Sequence, residues 1–227
     1  MKKLLLFDID GTLLQADDAT RQAINKTFGE IFKLENPQQN VPFAGRTDLG
    51  IFKDVAVTLL GRPFKAGELE QVVERYLSLL TGELARCTFR LMPGVAKLLP
   101  LLAAREDFIL GLETGNLEPA AYMKLKRGGI DHYFTLGGFG SDSEERAEFI
   151  RIAIARARNL NHGTIADDNI FLIGDSPYDI AAGRKAGIKT IGVLTGHADK
   201  NVLMAESPTC LLADLSDIPL FLRCIEC

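Results

Sequence analysis

A short apolar run near the N-terminus, Leu4-Leu5-Leu6-Phe7, ends abruptly in the acidic sequence Asp8-Ile9-Asp10-Gly11. The stretch Lys3–Ile9 has the length of a strand and the near-continuous apolar character of a strand buried on both faces. Its two aspartates stop the run well before it reaches the length of a signal peptide or a membrane span. We therefore expect a buried first strand and a cytoplasmic protein.

Similar apolar runs recur along the chain and alternate with helical stretches. The runs are Phe108–Glu113, Asn169–Gly174 and Thr190–Leu194, and the helical stretches are Leu117–Arg127, Ser143–Asn159 and Tyr178–Ala186. This alternation is typical of an α/β fold, a doubly wound parallel sheet with helices on both faces. Right-handed crossovers would bring the carboxyl ends of the strands to one edge, where such sheets carry their active sites.

Residues 15–92 interrupt the alternation. They show helical periodicity in Ala19–Lys33, Leu49–Leu60 and Ala66–Leu84, and they contain no convincing strand. Pro93-Gly94 marks the return to alternating structure. We therefore expect an all-helical cap, residues 15–92, inserted into a core made of residues 1–14 and 93–227.

Charge and composition exclude several kinds of partner. A formal net charge of -4 argues against binding to the phosphate backbone of nucleic acid, which requires a basic face. Hydrophobic residues make up 47% of the chain, enough to bury a sizeable core. The expected partner is a small metabolite rather than nucleic acid or a membrane, and the expected assembly is a monomer or a homodimer.

The cysteines and histidines show no pattern of a metal or disulfide site. Four cysteines are too few and too scattered for a disulfide framework, and the Cys224-Ile225-Glu226-Cys227 motif lacks the two further ligands of a zinc site. We interpret this pair as small apolar residues. His132, His162 and His197 have no spacing that suggests metal binding, so structural roles are expected.

Acidic residues follow two of the predicted strands. Asp8 and Asp10 point the same way because side chains alternate along a strand, and Asp175 ends the run Asn169–Gly174. Adjacent carboxylates repel unless they share a proton or a cation, and Mg²⁺ is a natural partner for carboxylate and phosphate oxygens. Asp179 falls in the first turn of the following helix, where it either joins this site or caps the helix.

Two further groups have both a functional and a structural explanation. Thr114-Gly115-Asn116 offers a hydroxyl and backbone amides just before a helix, which favours anion binding, but the same residues are good turn formers. Arg146 follows two glutamates near the start of another helix, where it is either a solvated cation or an anion ligand.

With these motifs the chain resembles the haloacid dehalogenase-like hydrolase superfamily, close to its branch of phosphoglycolate phosphatases and β-phosphoglucomutases. Asp8-Ile9-Asp10-Gly11-Thr12 matches the nucleophile signature, Thr114 matches the second motif, and Gly174-Asp175-Ser176-Pro177-Tyr178-Asp179 matches the fourth. The third motif usually contains a lysine. Here Arg146 is the best match, which departs from the family pattern.

The resemblance implies a magnesium-dependent phosphatase that acts on a small phosphate monoester, with phosphoglycolate as the first candidate. Asp8 would be the nucleophile and Asp10 the general acid and base. Mg²⁺ would be held by Asp8, the main-chain carbonyl of Asp10, and Asp175, with support from Asp179. The residues expected to bind the phosphoryl group are Thr114, Gly115, Asn116 and Arg146.

The expected cap contributes the segment Phe43–Asp48, which faces the active site in this branch. Gly45 and Arg46 are the candidates for substrate specificity, whereas Thr47 and Asp48 are equally well explained as the start of the next helix. A phosphomutase with the same core is the nearest alternative function. A phosphate-accepting signalling module is a more distant one.

Overall fold

The computed structural model describes residues 2–16, 18–35, 37, 41–160 and 165–226. The strands are β1 (Lys3–Phe7), β2 (Leu14–Ala16), β3 (Phe89–Leu91), β4 (Phe108–Thr114), β5 (Gly137–Phe139), β6 (Ile170–Gly174), β7 (Lys189–Val193) and β8 (Cys210–Leu212). Six of them form a parallel sheet in the order β5-β4-β1-β6-β7-β8. The predicted doubly wound α/β class is therefore confirmed.

Helices cover both faces of this sheet. The helices of the described residues, which include three in the insertion, are α1 (Ala19–Phe32), α2 (Asp48–Leu59), α3 (Glu68–Arg86), α4 (Val95–Ala103), α5 (Glu118–Arg127), α6 (Arg146–Leu160), α7 (Pro177–Ala186), α8 (Lys200–Ala205) and α9 (Ile218–Glu226). On β1, Leu5 and Phe7 pack with α4, α5 and α9, whereas Leu4 and Leu6 pack with α6 and α7. The apolar run at the N-terminus is thus explained by burial on both faces. Within the described ranges, no helix combines the length and apolar character needed to cross a membrane.

Helices α1, α2 and α3 share an apolar cluster, to which the start of α5 also contributes. Phe28, Phe52, Val72 and Tyr76 are completely buried in it. Beneath them, β2 and β3 form an antiparallel ribbon, so the expectation of a segment without strands is wrong. Each of these strands has only three residues, too few to show an alternating pattern. The limits of the cap at residues 15 and 92 stay a prediction.

Two cysteines are paired near the C-terminus. Cys210 in β8 and Cys224 in α9 form a disulfide, with their Cα atoms 5.9 Å apart. The interpretation of Cys224 as a simple apolar residue is wrong, because the fold brings together two cysteines separated by 14 positions. The thiol of Cys87 donates to the Leu84 carbonyl at 3.4 Å, and Cys227 lies outside the described residues.

Candidate active site

Three neighbouring strands deliver the candidate catalytic residues to one edge of the sheet. Strand β1 lies between β4 and β6 and runs parallel to both. Their carboxyl ends therefore meet, and Thr114, Asp8 and Asp175 lie at or directly after these ends.

A cluster of three buried carboxylates lies at this edge. Asp8, Asp175 and Asp179 each offer an oxygen, and these atoms all lie within 4.8 Å of one another. The three residues are only 7%, 8% and 1% exposed. Oxygen ligands at this spacing fit a hard divalent cation such as Mg²⁺.

The electrostatics of the cluster also favour a bound cation. Burial raises the pKa of Asp8 well above its usual range, and the charge of Asp179 adds to this effect. Burial and the same neighbour raise the pKa of Asp175 to about 7. A divalent cation would offset both the lost hydration and the mutual repulsion of these groups.

Two glycines make room for the Asp175 carboxylate. A Cβ placed on Gly11 would lie 2.5 Å from its Oδ2 atom, and a Cβ on Gly196 would lie 1.7 Å from the same atom. The hydroxyl of Thr12 donates a hydrogen bond of 2.9 Å to Oδ1. These contacts fix the carboxylate beside the end of β1.

Asp179 has both of the roles that its position suggested. Its Oδ2 atom accepts hydrogen bonds from the amide and hydroxyl of Ser176, and it forms a capping box at the start of α7. It also belongs to the carboxylate cluster and accepts a hydrogen bond of 2.6 Å from Arg146.

Arg146 is partly buried in the site, with 16% of its side chain exposed, rather than fully solvated. It is the first residue of α6, and its Nη1 atom donates to Glu113 at 3.0 and 3.2 Å and to Asp179. Although burial disfavours its charge, Glu113 and Asp179 hold the pKa of Arg146 above its ordinary value. Burial raises the pKa of Glu113 to about 8, against the opposing effect of this arginine. The arginine therefore brings fixed positive charge to the acidic cluster.

The carboxylate of Asp10 is bound by other residues. It accepts hydrogen bonds from Lys124 Nζ at 2.6 and 2.8 Å and from the side-chain amide of Asn116 at 2.8 Å. It does not belong to the described group of three metal-competent carboxylates. The structure therefore does not support the side chain of Asp10 as a metal ligand. Only the main-chain carbonyl of Asp10 stays a predicted ligand.

The segment Thr114-Gly115-Asn116 is the point at which the helical insertion meets the core. The amide of Asp48 donates to the Gly115 carbonyl at 2.9 Å, and a Cβ on Gly115 would lie 2.7 Å from the Arg46 carbonyl. The Asn116 side chain donates to the Thr114 hydroxyl at 2.7 Å. Phosphate binding by this segment stays a prediction. The close contact with the insertion is a second explanation for a glycine at position 115, because a side chain there would collide with the backbone of Arg46.

The specificity candidates Gly45 and Arg46 line the same cavity as Asp8 and Asp175. Gly45 has a left-handed φ of 71°, and a Cβ on it would lie 2.6 Å from the ring of Tyr178. Arg46 pairs with Asp54 of α2. Thr47 accepts a hydrogen bond from the Gly50 amide and is the N-cap of α2, so its explanation as a cap is confirmed.

A cavity of about 780 Å³ separates the insertion from the sheet edge. It is lined by residues of both parts, among them Asp8, Asp10, Arg46, Arg146, Asp175 and His197. Its volume suits a small organic phosphate.

Three residues of the site were not identified from the sequence. Lys124 and Glu113 are buried polar residues within apolar segments, and His197 lines the cavity from the loop after β7. The sequence did contain a signal for Lys124. Ala120, Ala121 and Lys124 follow helical spacing, which places this lysine on the buried, apolar face of α5.

Comparison with known proteins agrees with this arrangement. The family model of haloacid dehalogenase-like hydrolases matches residues 5–193. A pyrophosphatase PpaX of Listeria monocytogenes is 25% identical over 221 residues, which is 96% of this chain and 95% of the relative. The chain therefore belongs to the haloacid dehalogenase-like hydrolases, and within that family it is a phosphatase or phosphomutase.

Solved structures show the same fold. CbbY from Rhodobacter sphaeroides, in complex with phosphate, has a TM-score of 0.72 at 17% identity, and 96% of each chain is covered. A predicted phosphoglycolate phosphatase from Haemophilus somnus has a TM-score of 0.68 at 22% identity, with 97% of this chain and 98% of that chain covered.

Proposed function

We propose that the protein is a magnesium-dependent phosphatase that hydrolyses a small phosphate monoester through an aspartyl-phosphate on Asp8. The observation that carries this proposal is the placement of Asp8 among buried carboxylates in the cavity between the helical insertion and the sheet edge. A nucleophile in that position has a cation site beside it and room for a small leaving group above it.

The residues divide the chemistry into two steps. In the first, a carboxylate oxygen of Asp8 attacks phosphorus, the bond to the leaving oxygen breaks, and Asp10 gives that oxygen a proton. In the second, water attacks phosphorus, Asp10 takes a proton from the water, and the bond between phosphorus and Asp8 breaks. Inorganic phosphate leaves, and both carboxyl groups return to their starting state.

The remaining residues hold the reacting groups in place. Asp8, Asp175 and the main-chain carbonyl of Asp10 would bind Mg²⁺, with support from Asp179. When bound, the ion would neutralise charge on the phosphoryl oxygens. Thr114, the backbone amide of Gly115, and Arg146 would stabilise the phosphoryl group as it is transferred.

Two substrates stand first for testing. Phosphoglycolate is favoured by the resemblance of the motifs to that branch, and Arg46 at the cavity wall offers a cation for its carboxylate. Pyrophosphate is the second candidate, because the Listeria relative is a pyrophosphatase. A phosphomutase would instead return the phosphoryl group to a sugar phosphate, and it would show little net release of phosphate.

The test is phosphate release from phosphoglycolate, pyrophosphate and p-nitrophenyl phosphate with Mg²⁺, with Ca²⁺, and after chelation with EDTA. Steady turnover with Mg²⁺ is expected, with much less in Ca²⁺ because its longer bonds misplace the attacking oxygen. Asp8→Asn should abolish turnover, and acid-quenched wild-type protein should carry one phosphoryl group. Asp168→Asn, an exposed residue before β6, is the matched control. Activity in Asp8→Asn would contradict the covalent mechanism.

A further inference from the structure

A buried lysine lies at the candidate acid–base residue. Lys124 is on α5, and its side chain is only 2% exposed. Its Nζ atom contacts both carboxylate oxygens of Asp10, at 2.8 and 2.6 Å, and the side-chain carbonyl of Asn116 at 2.7 Å. These three contacts use the full donor capacity of an ammonium group.

Asn116 completes a closed network around the same carboxylate. Its amide nitrogen donates to Asp10 Oδ2 at 2.8 Å, while its carbonyl oxygen accepts from Lys124. The two donors fix the orientation of the Asp10 carboxylate from one side. The Asp10 side chain is still 46% exposed, and Asp10 lines the cavity, so its other side is open to a substrate.

Stability alone gives a weak reason for this arrangement. Burying an ammonium group carries a large desolvation penalty, and an apolar residue in the same place is often as stabilising as a buried ion pair. Lys124 nevertheless lies on the buried face of α5 beside Ala120 and Ala121, where an apolar residue would pack. Its contacts are with Asp10 and Asn116, at the catalytic end of the helix.

We propose that Lys124 is the positioning residue for Asp10 and that, together with Asn116, it holds the carboxyl group against the leaving oxygen. The proposal rests on the phosphatase function proposed above. When Asp10 gives its proton to the leaving oxygen, a carboxylate is formed, and Lys124 stabilises that negative charge. In this role Lys124 acts through Asp10, because all three of its ammonium donors are used by Asp10 and Asn116.

The leaving group provides a direct test. Phenyl phosphate and p-nitrophenyl phosphate have nearly the same shape, but phenolate needs a proton on departure far more than p-nitrophenolate does. Lys124→Met should therefore lower kcat for phenyl phosphate at least about tenfold more than kcat for p-nitrophenyl phosphate, as expected for loss of assisted proton transfer. KM for both substrates should change little, because the ammonium donors of Lys124 are all used by Asp10 and Asn116.

Two comparisons separate this role from a structural one. Lys126→Met makes the same substitution two residues along α5 at an exposed position, and it should leave both rates unchanged. The double variant Asp10→Asn/Lys124→Met should be no slower on phenyl phosphate than Asp10→Asn alone, because both substitutions remove the same step. Lys124→Gln, which keeps one donor, should recover part of the loss.

Each alternative outcome overturns the proposal. Equal losses on the two substrates, or losses that multiply in the double variant, would show that Lys124 acts on the fold or on phosphate. If circular dichroism shows that neither Lys124→Met nor Lys124→Gln folds, Lys124 serves stability and the positioning role is wrong. Failure of the phosphatase function would be seen separately, as activity in Asp8→Asn or as no turnover in the wild type.

Discussion

The ring of Tyr178 lies directly over Gly45, so that a side chain on this glycine would collide with it. A Cβ on Gly45 would lie 2.6–2.7 Å from three ring carbons. Tyr178 belongs to the segment that carries Asp175 and Asp179, and Gly45 precedes the specificity candidate Arg46. This contact therefore joins the edge of the sheet that carries the carboxylate cluster to the loop that precedes α2.

Gly45→Ala should displace that loop and lower kcat/KM for phosphoglycolate about tenfold or more, because a small misplacement of a substrate-positioning group has large effects. Gly61→Ala is the matched control. Gly61 has a similar left-handed φ of 66°, but a Cβ there meets nothing within 4 Å. Both variants should lose about 1 kcal/mol of stability from backbone strain, and only Gly45→Ala should lose activity. Equal activity in the two variants would contradict a role for the Tyr178 contact.

Arg146→Ala should slow turnover by about 10²-fold, because it removes the cation nearest the carboxylate cluster and a stabilising group for the phosphoryl oxygens. It also leaves Glu113 and Asp179, both buried, without their partner. Arg146→Lys should recover part of the rate, since lysine keeps the charge but loses the planar, multi-donor geometry. Arg151→Ala, at an exposed position on the same helix, should behave as wild type, and similar rates in the two alanine variants would refute this assignment.

Arg46→Ala should reduce kcat/KM for phosphoglycolate far more than for p-nitrophenyl phosphate, because only the former carries a carboxylate for the guanidinium to bind. The comparison needs Asp54→Ala as a control, since Asp54 pairs with Arg46. That control leaves the arginine in place and should have a small effect on both substrates. Equal losses on the two substrates in Arg46→Ala would assign this residue to phosphate binding or folding.

Asp48 should make stability depend on pH in a predictable direction. Burial raises the pKa of Asp48 to about 6, although Lys124 and the Leu117 amide oppose the shift. A carboxyl group whose pKa is higher in the folded protein than in the unfolded chain contributes most to the free energy of unfolding at a pH below its pKa in the unfolded chain. This contribution is lost as the pH rises through the pKa that the group has in the folded protein. The loss is at most about 3 kcal/mol between about pH 4 and pH 7.

Asp48→Asn keeps an acceptor for the Leu117 amide but cannot ionise. Relative to this variant, wild-type protein should lose unfolding free energy as pH rises over that range. Urea denaturation at several pH values, with Mg²⁺ present throughout, measures the difference. Parallel pH curves for the two proteins would show that Asp48 does not carry the shifted pKa.

The sequence by itself determined the fold class and the catalytic edge. A buried strand ending in Asp8-Ile9-Asp10-Gly11, and a later one ending in Gly174-Asp175, are local patterns of polarity and turn formation. Because parallel strands must share one carboxyl edge, these patterns were enough to bring Asp8 and Asp175 together. The start of α2 at Thr47 was equally local, since an N-cap depends on residues only three positions away.

Only the tertiary structure decided which partners these residues have. Lys124 and Asp10 are 114 positions apart, and the Cys210–Cys224 disulfide joins a strand to a helix. Such contacts depend on strand order and helix packing, which bring distant residues together without leaving a periodic signal in the sequence. For that reason the position of Asp8 at the strand end was predictable from its motif, whereas the hydrogen-bond network around Asp10 was not.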